Sequence, residues 1–188
     1  GLDLLDSANL PNPLIFNPPV EGSGQWINTS VYQFTPSPAL QGSTRYQVSV
    51  RDDLTDSLDS RLGEPFSWQF DTQSPDVVEI QPFPQSDNVP LDSTLTVRFN
   101  QPMDRPSTEA AFSLATASGQ AITGRFTWNS TSTGFEFVPN SLLPIETALV
   151  ASVANTARAA VGNITLPVAV SWSLDTVSRP AVISTRPT

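Results

Sequence analysis

Apolar residues recur at every second position through much of the chain. Leu95, Val97 and Phe99 alternate with Thr94, Thr96 and Arg98; Val168, Val170, Trp172 and Leu174 keep the same rhythm, as do Tyr46, Val48 and Val50. Side chains on extended backbone point alternately to opposite faces, so a period of two predicts strands with one face buried. Strands are predicted near residues 77–81, 94–99, 112–115, 120–128, 134–138, 147–154 and 167–174. Helical patterning is scarce, and Ser107–Ala111 is expected to form at most a single turn. Pro and Gly punctuate at short intervals, which fits an all-β sandwich built from many short strands.

The pattern occurs twice. Tyr32 aligns with Phe135, Phe34 with Phe137, Pro36 with Pro139, Leu40 with Leu143 and Thr44 with Thr147, each at an offset of 103 (135 − 32, for instance). Phe66-Ser-Trp68-Gln-Phe70-Asp-Thr72 then aligns with Val170-Ser-Trp172-Ser-Leu174-Asp-Thr176 at 104, and Pro75-Asp-Val-Val with Pro180-Ala-Val-Ile at 105. One-residue differences in loop length produce such a drift, and the period identifies a tandem array. Residues 1–73 are expected to form a partial sandwich, residues 74–176 a complete seven-stranded one, and residues 177–188 the start of a third copy. In this alignment the partner of Met103-Asp104 falls just before residue 1, so the first two strands of the first copy are expected upstream and residues 1–12 are expected to be irregular. The boundary near Thr72-Gln-Ser-Pro75 is short, which predicts a semi-rigid rod.

The stretch QFTPSPALQGSTRYQVSV (33–50) reads as a corner of that sandwich. Pro36 and Pro38 lack the N–H that a ladder needs and force the chain out of the sheet. Leu40 is then placed to plug the end of the core, and Gly42 to allow the return. Tyr46, just inside the next strand, is positioned to bond the backbone upstream. The second copy carries Leu149 at that point and lacks the bond.

Composition narrows the chemistry. The chain of 188 residues has nine Lys+Arg against eighteen Asp+Glu, a formal charge of −9, and all nine cations are Arg. Phosphate binding needs clustered cations, so nucleic acid and anionic membrane are not expected partners. Cys and His are both absent, which removes disulfides, thiolate zinc sites, the commonest metal ligand and the usual general base. No apolar run approaches the roughly 20 residues of a membrane span.

Several motifs in order resemble the type 5 bacterial Ig-like domain: Asn88-Val-Pro-Leu-Asp92, Leu95-Thr-Val-Arg-Phe99-Asn-Gln-Pro-Met-Asp104, Phe112-Ser-Leu, Phe135-Glu-Phe137-Val-Pro139 and Leu143. The match spans about residues 75–176 and departs from the family pattern at Leu149 and in the loop 154–166. In the first copy, Pro18-Pro-Val-Glu-Gly22-Ser-Gly-Gln-Trp26 and Asn28-Thr-Ser-Val-Tyr32-Gln-Phe34-Thr-Pro36 resemble modules in the arm of bacterial alpha-2-macroglobulin-like proteins. These resemblances imply tandem Ig-like sandwiches serving as structural spacers in a large cell-envelope protein. They place the chain outside the cytoplasm, extracellular or periplasmic, and anchored through its parent. The partners so implied are neighbouring domains of the same parent, with a further protein partner left open. A thioester, if the parent has one, requires a Cys that this sequence lacks. An adhesin-type module contacting protein or glycan through its loops is the alternative.

Four groups of residues resemble sites in type, each has an ordinary structural role open to it, and no catalytic, cofactor-binding or metal residue is assigned. Asp52, Asp53, Asp56, Asp59 and Glu64 could gather oxygens around calcium, yet Arg61 sits among them and the equivalent loop Asn155–Asn163 has no carboxylate. Asp104 and Glu109 resemble an acid/base pair in type, but their place beside Pro106 suits a turn and a helix start. Glu21-Gly-Ser23-Gly falls short of a nucleophile elbow, and a Ser triad lacks its His. Trp26, Trp68, Trp128 and Trp172 could form a sugar platform; Trp68 and Trp172 are instead expected in the core, by their phase with buried neighbours. The expected chain is a monomer, without catalysis and without cofactor.

Overall fold

The computed structural model describes residues 12–28, 30–54, 61 and 64–179. It divides into two units, residues 1–73 and 74–188. Two β-sheets in each, and one short helix in the second unit, make up the regular structure of the described residues.

In the first unit the strands are β1 (Leu14–Asn17), β2 (Gly22–Asn28), β3 (Val31–Pro36), β4 (Arg45–Val50) and β5 (Ser67–Asp71). One sheet has the order β1-β4-β5, and β2 pairs with β3 as a two-stranded sheet. All three pairings are antiparallel. The period of two is realised on β4, where Tyr46 and Val48 are buried while Arg45 and Gln47 face water. Phe16 and Phe34, on different sheets, meet with ring centroids 4.8 Å apart.

The second unit runs β6 (Val77–Gln81), β7 (Ser86–Val89), β8 (Leu95–Phe99), α1 (Arg105–Ala111), β9 (Phe112–Thr116), β10 (Gly124–Trp128), β11 (Gly134–Pro139), β12 (Ala148–Val153) and β13 (Val170–Thr176). Its sheets have the orders β10-β11-β8-β6 and β7-β13-β12-β9. Four strands of one sheet thus face three antiparallel strands of the other, with β7 added in parallel beside the last, which is the arrangement of an Ig-like sandwich. Leu95, Val97, Leu149 and Leu174 are completely buried, and Phe112 makes ring contacts with Phe126, Phe135, Phe137 and Trp172. Burying such side chains supplies most of the driving force, about 1.5–3 kcal/mol for each large apolar residue.

The five strands of the first unit repeat pairings found in the second. Phe16 pairs with Val48 as Leu114 pairs with Ala151, and Trp26 with Tyr32 as Trp128 with Phe135. So β1, β2, β3, β4 and β5 are the counterparts of β9, β10, β11, β12 and β13. Counterparts of β6, β7 and β8 do not occur among the described residues of the first unit. Gly22 and Gly124 show why the correspondence extends to single residues. A Cβ on Gly124 would lie 2.4 Å from the Val138 carbonyl oxygen and 2.5 Å from Phe137 Cζ, and one on Gly22 would lie 2.7 Å from Phe34 Cζ. Each glycine leaves room for an aromatic ring on the neighbouring strand.

Four expectations are corrected. β7 was not foreseen, because Ser-Asp-Asn-Val carries no apolar alternation and Asn88 has a positive φ of 55°; its place rests on backbone bonds to the β13 side, such as Gln85 N–H to the Ser173 carbonyl at 2.8 Å. The strand expected over 120–128 begins only at Gly124, with Ala121 forming an isolated bridge to Ala115. The strand expected over 167–174 runs instead from Val170 to Thr176, and Val168 stands 71% exposed ahead of it. The turn over Ser107–Ala111 is a helix of seven residues starting at Arg105. The irregularity expected for residues 1–12 and the third-copy strand beyond 179 fall, except for Asn12 and residues 177–179, outside the described residues.

Candidate functional site

The corner that the prolines announce is a hydrogen-bonded clamp in both units. β3 ends at Pro36 and β11 at Pro139, and the chain then crosses to β4 or β12. Gln41 N–H donates to the Tyr46 hydroxyl at 3.1 Å, the upstream bond expected of that tyrosine. A second lock was not anticipated. Thr72 Oγ1 accepts from Thr44 N–H at 3.0 Å and donates to the Gln41 carbonyl at 2.5 Å. Thr176 Oγ1 likewise accepts from Thr147 N–H at 2.9 Å and donates to the Pro144 carbonyl at 2.6 Å. Thr44 and Thr147 each bond the carbonyl two residues back, Gly42 and Ile145. The repeated Asp-Thr at the end of each last strand was the available signal. The plug residues differ: Leu143 is 2% exposed, whereas Leu40 is only half-buried.

The acidic loop is only partly described. Asp56 and Asp59 lie outside the described residues, and Asp52 and Glu64 are exposed. Asp53 is held by Arg51, whose Nε donates to Oδ1 at 2.8 Å. That hydrogen bond, opposed by some desolvation, holds the Asp53 carboxyl below its usual range. No group of three or more His, Cys, Asp or Glu able to hold a metal occurs among the described residues.

Asp104 and Glu109 serve separate contacts. Asp104 is the N-cap of α1: its Oδ1 accepts from Ser107 N–H at 3.0 Å, and Pro106 occupies the first turn, where a missing N–H costs nothing. The hydrogen bonds from Ser107 lower the Asp104 carboxyl below its ordinary range, aided by Arg158. A carboxyl so stabilised as its anion is poorly suited to donate a proton. Glu109 instead accepts from the Trp128 indole Nε1 at 2.7 Å. Arg105 covers the same ring, its guanidinium carbon 5.7 Å from the centroid, and its Nε donates to Ser132 Oγ at 3.0 Å. Cation, indole and carboxylate together pin the short helix to the β10–β11 hairpin.

The tryptophans divide. Trp172 is 3% exposed, as expected, and Trp26 and Trp128 are half-buried, Trp26 edge-on to Tyr32 at 5.2 Å. Trp68, expected in the core, is 40% exposed and lies beside Phe66, 59% exposed, with ring centroids 5.8 Å apart. The physical reason lies in the opposite layer. Trp172 shares one core cluster with Leu95, Val97 and Phe99 of β8, and no counterpart of β8 faces β5 among the described residues.

A shallow hollow of about 250 Å³ opens on the outer face of the β10-β11-β8-β6 sheet, where Gly134 contributes no side chain between Arg98 and Glu136. One cation and one carboxylate line it, beside Thr96 and Thr127. The described residues contain no helix long and apolar enough to cross a membrane.

The family model for the bacterial Ig-like domain matches at residues 9–72 and again at 71–176. An alpha-2-macroglobulin homolog of Nostoc sp. is 28% identical over 102 residues, which are 53% of this chain and 5% of that protein. The chain therefore spans about one-twentieth of that relative's length. Among solved structures, Mycobacterium tuberculosis L,D-transpeptidase 1 matches with a TM-score of 0.40 and 21% identity, over 55% of this chain and 39% of that one. CopC from Methylosinus trichosporium OB3b matches with a TM-score of 0.43 and 10% identity, over 57% and 98% respectively.

Proposed function

Because the chain belongs to the bacterial Ig-like domain family, we propose that its units are non-catalytic spacer modules in a large bacterial cell-envelope protein of the alpha-2-macroglobulin-like kind. The observation that carries this reading is the adjacency of the copies: one family match ends at residue 72 and the next begins at 71. Modules joined without a linker segment set a distance between the domains at either end of an array. Three of the described candidate side chains are engaged in holding the fold together: Asp104 in a cap, and Glu109 and Trp128 in the helix anchor. The sequence relative supports the choice of parent, and the location outside the cytoplasm follows from that parent.

The test is exchange of the module within the longer protein. Residues 74–176 are replaced by an unrelated Ig-like sandwich of similar length and the parent's activity is assayed. Retained activity is the expected outcome, because a spacer is defined by its length and stiffness. Loss of activity with normal folding and localisation overturns the reading. One feature favours the adhesin-type alternative: Leu142, 68% exposed, borders two shallow hollows at one end of the second sandwich. Leu142→Asp abolishes binding on a protein or glycan array if that alternative holds, and leaves the spacer role unchanged.

A further inference from the structure

The second unit grips the chain where it enters and where it leaves, by different chemistry. At the entry, the Asn100 amide brackets a fully buried proline, Pro75. Its Nδ2 donates to the Ser74 carbonyl at 2.8 Å and its Oδ1 accepts from Asp76 N–H at 3.0 Å. These groups are uncharged, so added salt has little to screen. At the exit, Glu146 does the equivalent work with a charge. Its N–H donates to the Val177 carbonyl at 3.1 Å, its Oε1 accepts from Arg179 N–H at 3.2 Å, and its Oε2 lies 3.4 Å from Arg179 Nε. The left-handed φ of 52° at Glu146 is uncommon for a residue other than glycine. Ser43 holds the counterpart position in the first unit, with a φ of 51° and the same backbone bond, from its N–H to the Gln73 carbonyl at 3.1 Å. The corner backbone is thus common to both copies, and the carboxylate belongs to the second.

We propose that Glu146 and Arg179 form an ionic clasp that sets how firmly the chain leaving the second unit is held, and that ionic strength adjusts this hold. Backbone bonds fix the departing chain as far as Val177, whose N–H donates to the Val89 carbonyl at 3.0 Å. Arg179, two residues on, is held through the Glu146 side chain. Pro180 follows, and a residue before proline is steered to extended backbone, so fastening Arg179 leaves the outgoing chain few directions. The side chains of Arg179 and Glu146 are 72% and 48% exposed. An exposed ion pair shifts an equilibrium by only about two- to fivefold. A contact of that strength opens and closes, which makes it a setting of stiffness and not a lock. Screening shortens the reach of such a pair from about 10 Å at 0.1 M salt to about 3 Å at 1 M, close to the separation of the two charges. The clasp belongs to the second unit itself and does not rest on the spacer role.

The test is amide–water exchange in the full chain by NMR, at low salt and in about 1 M sodium chloride. Arg179 N–H is expected to exchange about two- to fivefold faster at high salt. Val177 N–H, held by the Val89 carbonyl, and Asp76 N–H, held by the Asn100 amide, are expected to stay unchanged. E146Q keeps an oxygen for Arg179 N–H but no charge. It is expected to show the faster rate already at low salt and to lose the salt dependence, and R179Q is expected to do the same. The double exchange E146R/R179E restores an opposite pair and is expected to regain salt-dependent protection, which separates the pairing from damage to the corner. Equal Arg179 exchange at low and high salt overturns the proposal, as does a salt effect that survives in E146Q. A rise at Val177 that matches the rise at Arg179 overturns it in favour of general loosening of the corner.

Discussion

Thr72 and Thr176 each join the end of a last strand to the corner that precedes β4 or β12, through one accepted and at least one donated hydrogen bond. A part-buried hydroxyl of this kind leaves several backbone groups unsatisfied when removed, a loss of about 1–3 kcal/mol. Thr176→Val is therefore expected to lower the unfolding free energy of the second unit by that amount in urea denaturation, and Thr176→Ser to restore most of it. Tyr46→Phe, which removes a single bond to Gln41, is expected to cost the first unit about 1 kcal/mol in the same measurement. The role of Tyr46 was legible from its position just inside a strand after Pro-x-Pro. The role of Thr72 was not, because a threonine at a strand end fits many turns and only coordinates reveal which carbonyl its hydroxyl meets. Trp68 departs from its expected burial for a related reason. Its phase along β5 identifies the inner face, but burial depends on what stands opposite, and a strand's own sequence carries no record of that.

Short elements depend on their ends. α1 has seven residues, too few to be stable by propagation alone, and is held by the Asp104 cap and by Trp128 between Glu109 and Arg105. Asp104→Ala is expected to cost about 1 kcal/mol by urea denaturation. Because the folded-state value of this carboxyl is lowered, its contribution is fully present above the ordinary carboxylate range and is lost as pH falls through the lowered value. Asp104→Asn, which keeps a capping oxygen, is expected to flatten that acid dependence while retaining most of the stability at neutral pH. Gly124→Ala is expected to destabilise the second unit by about 1–3 kcal/mol, because the added methyl meets the Val138 carbonyl and the Phe137 ring. Central strands were readable because both neighbours bury them, as at Leu95, Val97 and Phe99. The edge strand β7 was hidden, since its pairing uses the backbone and demands little of its side chains.

For the molecule as a whole, the two units are expected to melt separately, the first at the lower temperature. Exposed Phe66 and Trp68 contribute less to the first core than partly buried Val170 and buried Trp172 contribute to the second. Calorimetry that resolves one cooperative transition counts against this. The internal repeat made the tandem organisation visible before any coordinates, because an offset near 103 recurs in residues of quite different kinds. The arrangement of β7 carries a mechanical corollary. It enters near the start of the second unit and runs parallel to β13, which leaves at the end, with bonds from Gln85 N–H to Ser173 O at 2.8 Å and from Val177 N–H to Val89 O at 3.0 Å. Tension applied through the chain on either side loads these bonds in shear, all at once, instead of peeling them one by one. Force spectroscopy should find the unit strong when stretched from its ends and weak when the β10–β11 hairpin is pulled open.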